Sequence, residues 1–261
     1  MNLKDKVAMV CAASRGIGFG IAKSMLQQGA KVIICSRHEN DINKAVNSLK
    51  EETGGEVHGI VTDLTKSEQI EQLQEKCLAI FPQIHILVYN NGGPKVGEYD
   101  SLSPTDWVDL FENHFINYVK LISKFITHFQ ENNYGRIVNI TSITAKEPHR
   151  SLVLSNVLRS CIHAYSKSII ENIAQDNITI NNLLPGIINT DRVRAIHQVM
   201  ADKEEISTSK VAERFKNLIP SKNLGTIEDV GDMCAFLTSE NARYITGQSI
   251  LIDGGLYKGL Y

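Results

Sequence analysis

The first residues able to do chemistry lie near the start of the chain, where positions 10–20 read Val-Cys-Ala-Ala-Ser-Arg-Gly-Ile-Gly-Phe-Gly. Small side chains let a backbone approach a phosphate closely, and a helix opening at such a turn offers unpaired N–H groups and the positive end of its dipole. The glycines stand at Gly16, Gly18 and Gly20, so the strict Gly-x-Gly-x-x-Gly spacing is absent. The turn also carries Arg15, and the next apolar run ends Cys35-Ser36-Arg37 with no acid at its tip. Two guanidiniums so placed are suited to clamping a phosphate in bidentate fashion. The five cysteines are scattered and include no Cys-x-x-Cys pair, so neither a zinc site nor a disulfide framework is expected.

The elements that must position these groups alternate along the chain. Apolar, β-branched runs at 7–11, 31–35, 59–61, 84–89, 136–140, 179–183 and 249–252 predict strands. Amphipathic stretches at 18–28, 40–51, 67–81, 104–131, 155–176 and 227–238 predict helices, with Gly29 and Pro82 as stops and Thr65 or Ser67 as a cap. Strand–helix alternation implies an α/β fold: one doubly wound, Rossmann-type domain over residues 1–261, its central parallel sheet flanked by helices. Residues 187–225 are charged, poor in apolar positions and read as irregular, which suits a segment closing over a substrate.

Composition limits the function classes. The 261 residues carry 27 Lys+Arg against 29 Asp+Glu, a net charge of −2, which argues against binding nucleic acid by phosphate neutralisation. A chain of this size buries roughly three-quarters of its unfolded surface, enough for a full core. The longest apolar runs fall short of the roughly 20 residues that span a bilayer, and the start shows no signal-peptide pattern. A cytoplasmic protein without membrane or nucleic-acid partners is expected.

The glycine-rich turn resembles that of the short-chain dehydrogenase/reductase family, Thr-Gly-x-x-x-Gly-x-Gly. Gly16 and Gly18 match its last two glycines, and Cys11 and Ala12 stand at its Thr and first Gly. Further segments are similar in the family's order: Asp63-Leu64, Asn90 with Gly92, Pro185-Gly186 with Thr190, and the stretches 219–230 and 244–255. The resemblance implies a cofactor crevice lined by Ala12, Ser14, Arg15, Gly16, Ile17, Gly18, Arg37, Asp63, Leu64, Asn90, Gly92, Pro185, Gly186 and Thr190. It also implies a homodimer or homotetramer acting on a small carbonyl or alcohol substrate. With arginines and no acid near the adenosine ribose, the expected cofactor is NADP, with NAD second.

The family's proton relay uses a serine, a tyrosine about thirteen positions later and a lysine four beyond that. Ser142 fits the serine place, but Ser155 and Arg159 occupy the other two. Their spacing keeps both on one helix face, so geometry survives while chemistry changes. A serine hydroxyl is a far weaker acid than a phenol, and arginine does not release its proton in a protein. Tyr165 and Lys167 do not restore the relay, because they lie only two positions apart, on different helix faces. His114 falls where the family has a supporting asparagine, with Asn113 expected to turn away. Several routes stay open: an anionic substrate group meeting Arg159 with His114 as acid, a role for His149 or a water, or cofactor binding without turnover. Gly92-Gly93-Pro94, Lys146-Glu147-Pro148 and Leu154-Ser155-Asn156 with Arg159 further resemble a branch similar overall to 3-oxoacyl-(acyl-carrier-protein) reductases.

Overall fold

In the computed structural model, described for residues 1–260, seven parallel strands form one sheet in the order β3-β2-β1-β4-β5-β6-β7. They are β1 (Val7–Val10), β2 (Lys31–Ser36), β3 (Val57–Val61), β4 (Ile86–Tyr89), β5 (Gly135–Ile140), β6 (Ile178–Pro185) and β7 (Ser249–Ile252). β1, β4, β5 and β6 are buried along their whole length, as expected of strands covered on both faces. Their side chains alternate between two cores. Val7 and Met9 face one, with Ile33, Leu87 and Ile137; Ala8 and Val10 face the other, with Val32, Val88 and Val138. The chain reverses its winding between β1 and β4, and the crevice at that switch lies beyond the carboxyl ends of the strands.

The helices are α1 (Gly16–Gln27), α2 (Glu39–Thr53), α3 (Ser67–Ile80), α4 (Pro104–Asp109), α5 (Asn117–Glu131), α6 (Val153–Ser168), α7 (Ile170–Ile173), α8 (Asp191–Glu204), α9 (Thr208–Leu218) and α10 (Ile227–Leu237). Residues from α3, α5 and α6 fill the first core; those from α1, α2 and α10 fill the second. α1 lies directly against α10: a Cβ on Gly20 would come within 2.6 Å of Ile227, and one on Gly231 within 2.7 Å of the Gly20 carbonyl. Only glycine permits that approach. Neither Thr65 nor Ser67 caps α3, whose N-cap is Lys66; the Thr65 hydroxyl turns instead to Asp63.

Two expectations from sequence are corrected. The long helix over 104–131 is interrupted by a wider π turn at Leu110–Ile116. There the Asn117 side-chain amide donates to the Asn113 carbonyl at 3.3 Å and to the Leu64 carbonyl at 3.2 Å, tying the turn to the loop after β3. The stretch 187–225 is not irregular: it contains α8 and α9, capped by the hydroxyls of Thr190 and Ser207. Its pattern is faint because α8 buries only His197 and Ala201 and α9 only Val211. Among the described residues no helix is long and apolar enough to cross a membrane, and no cluster of side chains is arranged to hold a metal ion.

Candidate active site

A cavity of about 750 Å³ opens at the switch point, within the usual range for small-molecule sites. Of the expected cofactor residues, Ala12, Ser14, Arg15, Gly16, Ile17, Arg37, Asp63, Leu64, Asn90, Gly92 and Thr190 line it. His114 and Arg159 line it as well. Gly18, Ser142, Ser155, Pro185 and Gly186 lie outside its wall. Gly18 sits beneath the turn, where a Cβ would meet the Ala12 carbonyl at 2.5 Å. Pro185 closes β6 opposite Ile252, and a Cβ on Gly186 would strike Asp253. Ser142 caps a short turn by accepting from the Thr144 N–H at 3.1 Å, and Ser155 is half-buried in the first turn of α6.

At the cradle end, the turn is held by the Cys11 N–H on the Val88 carbonyl, the Ala13 N–H on the Cys35 carbonyl, and the Asn90 amide on the Ala12 carbonyl at 3.2 Å. No side chain caps α1, so its first N–H groups face the cavity without a side-chain acceptor. Arg15 and Arg37 are exposed on the cavity wall and pair with no carboxylate among the described residues. Uncapped helix, close-approaching backbone and free guanidiniums fit a dinucleotide carrying a 2′-phosphate.

The structure holds Ala12 at φ 46°, in the left-handed region, where its methyl group is strained. That conformation costs an alanine about 1–2 kcal/mol, more than the roughly 0.4–1 kcal/mol of chain entropy that glycine loses on folding. Ala12→Gly is therefore expected to stabilise the protein by roughly 0.5–1 kcal/mol in urea unfolding; an unchanged or lower midpoint would contradict it.

At the other end, the π turn presents His114 to the cavity while Asn113 turns away, its amide on Asp109 at 2.6 Å. The Asn91 amide nitrogen meets His114 Nδ1 at 3.4 Å and Tyr89 Oη at 3.3 Å, and the Asn91 carbonyl accepts from Arg159 at 3.3 Å. Because the amide can only donate, Nδ1 accepts, which leaves the neutral ring's proton on Nε2. Burial, followed by the Asp109 charge, which acts in the opposite sense, and the Arg159 charge, holds the His114 pKa below the usual 6.5. Burial also lowers the Arg159 pKa, offset by Tyr89 and reinforced by Arg192.

Arg159 is 6% exposed. Its guanidinium reaches the Ile140 carbonyl at 3.4 Å and the Asn91 carbonyl, and its Nε has no partner. Sequence reasoning missed Asn91, which joins Tyr89, His114 and Arg159, and Arg192 in the first turn of α8. No motif marks Arg192; only the structure, in which the Thr190 hydroxyl caps α8, places it at the cavity. His38 and Asp41 at the start of α2 were missed for want of any motif.

This cradle at the switch point of a seven-stranded parallel sheet defines a dinucleotide-binding fold. The chain belongs to the short-chain dehydrogenase/reductase family: residues 11–257 match the family described as enoyl-(acyl carrier protein) reductase. Dehydrogenase/reductase SDR family member 4 of Bos taurus is 30% identical over 254 residues, covering 97% of this chain and 88% of that protein. The NADPH-dependent reductase BacG of Bacillus subtilis is 29% identical over 259 residues, covering 99% of this chain and 100% of that one. L-sorbose reductase of Gluconobacter frateurii, solved with NADPH and L-sorbose, has a TM-score of 0.94 at 25% identity, with 99% of each chain covered.

Proposed function

We propose that the protein is an NADP(H)-linked oxidoreductase that interconverts a carbonyl and an alcohol through a relay built on His114 and Arg159. One observation carries the reading: a single cavity joins the phosphate cradle to a titratable imidazole and a buried guanidinium. Gly16, Gly18 and the start of α1 would hold the cofactor's diphosphate, and Arg15 and Arg37 its 2′-phosphate. When bound, the cofactor supplies the hydride.

The chain's own residues then supply position and the proton. Protonated His114 gives its Nε2 proton to the substrate oxygen in the reducing direction, and in that charged form the Asn91 amide turns its carbonyl oxygen, rather than its nitrogen, to Nδ1–H. Arg159 provides fixed positive charge beside it, replacing the charge of the family's lysine but not its proton exchange. Ser142 keeps its hydroxyl proton free to orient an oxygen, since its oxygen is the acceptor toward Thr144. Ser155 lies one turn before Arg159 on α6 but outside the cavity wall, so it would act on the relay only through its neighbours. In this reading α8 and α9 cover the substrate. Exposed Val96, Tyr99, Val108, Phe111 and Ile116 give the π-turn side an apolar surface suited to a homodimer or homotetramer. Five free thiols, four of them buried, support a cytoplasmic setting.

The test combines NADPH and NADH titration with cofactor oxidation over a panel of aldehydes, ketones and sugars. Reduction is expected to fall as pH rises through an inflection below 6.5, because the depressed His114 pKa confines the acid form to lower pH. His114→Gln should cost about 100-fold in kcat and flatten that profile. An unaltered profile in the variant removes His114 from the relay. NADPH binding without turnover of any compound would favour a cofactor-binding protein that does no chemistry.

A further inference from the structure

We propose that Arg159 and Arg192 form a clamp for the carboxylate of the substrate, so that the carbonyl compound turned over is an oxo acid. The inference rests on the oxidoreductase reading for the word substrate, but the clamp itself rests on separate observations. Arg159 is 6% exposed, lines the cavity, and has an Nε with no partner. Its two contacts are long bonds, 3.3 and 3.4 Å, to neutral carbonyls. Among the described residues no carboxylate lies within ion-pair distance of it or of Arg192. Burying a guanidinium without an anion is costly, and a ligand that supplies the anion removes the cost.

Arg192 adds the second charge. It stands in the first turn of α8, and its guanidinium lies over Gly93, where a Cβ would come within 3.2 Å of it. Asp191 does not neutralise it, because that carboxylate pairs with Arg194. Asp63, the acid on the nearby wall, is taken up by the Thr65 N–H and hydroxyl. Arg192 is close enough to Arg159 to lower its proton affinity, which places two like charges on one space. The cofactor's diphosphate has its own seat at Gly16–Gly18, so the charge left uncompensated at this end belongs to another anion. A carboxylate is planar and matches two guanidinium forks.

The experiment measures binding of 4-oxopentanoate, benzoylformate and 2-oxo-4-phenylbutanoate, each beside its methyl ester, by calorimetry with and without NADP⁺. At least one acid is expected to bind about 30-fold or more tighter than its ester, the scale of charge-assisted hydrogen bonds. Arg192→Gln should cut that preference about tenfold while leaving NADPH affinity within about twofold, and Arg159→Gln should abolish it. Arg159→Lys keeps charge but not the fork, and should recover only part of the preference. Circular dichroism confirms that each variant is folded, and Arg192→Gln, on an exposed residue, carries the test should Arg159→Gln misfold. No acid binding better than its ester overturns the clamp. So does an Arg192→Gln variant that loses NADPH affinity instead, which would assign this arginine to the cofactor. A protein that prefers acids yet binds no NADPH keeps the clamp and removes the oxidoreductase reading.

Discussion

Arg159→Met is expected to yield a protein that melts at a higher temperature than the parent and no longer turns over. The parent buries a guanidinium whose partners among the described residues are two long bonds to backbone carbonyls. Methionine has a similar length, fills the space with apolar atoms and carries no charge to desolvate. Two carbonyls lose weak donors, which costs about 1 kcal/mol, while the effective penalty of an uncompensated buried ion is several. The net gain of roughly 1–2 kcal/mol raises Tm by about 2–6 °C in a chain of this size. Turnover should fall by at least about 100-fold, since the fixed charge beside His114 is gone. Differential scanning calorimetry and a steady-state assay read the two effects together. A variant that melts lower would show that Arg159 is structurally satisfied, and full turnover would remove it from the site.

The second large effect concerns the cradle end. Arg37→Asp is expected to weaken NADPH binding by about 100-fold or more and to improve NADH binding several-fold, reversing the preference. The reasoning is local. Arg37 and Arg15 lie on the cavity wall, both unpaired, so a 2′-phosphate gains charge-assisted hydrogen bonds worth about 1.5–3 kcal/mol each. An aspartate at the tip of β2 repels that phosphate and accepts from a ribose 2′-hydroxyl instead. Asp41 and His38 on the same wall modulate the end without replacing the arginine. Because these groups are exposed, the parent's preference should shrink as salt rises toward 1 M, where the screening length is about 3 Å. Fluorescence titration of both cofactors at two ionic strengths measures this. NADPH binding that Arg37→Asp leaves unchanged would place the 2′-phosphate elsewhere.

The sheet was legible in the sequence because its central strands β1, β4, β5 and β6 are short apolar runs buried on both faces, a pattern independent of distant partners. β3 starts two residues before its predicted start, where His58 breaks the apolar run without breaking the pairing, and β6 runs from Ile178 to Pro185 around the predicted 179–183. What could not be read depends on contacts between distant segments. The π turn exists because the Asn117 amide reaches the carbonyls of Asn113 and Leu64, and the Leu64 carbonyl belongs to another loop. α8 and α9 were hidden because helices with so little buried surface carry almost no apolar period. In the site, the turn at 10–20, Asp63 and Asn90 stood out by residue type and order. Asn91 and Arg192 did not, since an asparagine and a charged residue are unremarkable until the fold aims them into one cavity.

The glycine contact between α1 and α10 bears on the order in which the molecule is made. The residues of the glycine-rich turn and Arg37 are synthesised by the end of the second strand. Yet the helix that presents the cradle rests, through Gly20 and Gly231, on a helix near the far end of the chain. Until residues 227–237 emerge, one flank of α1 faces water, and its apolar stripe of Ile21, Met25 and Leu26 is only partly covered. Competence to bind a nucleotide therefore waits for residues 227–237, and a nascent chain stalled before them holds the binding motif without the helix that supports it.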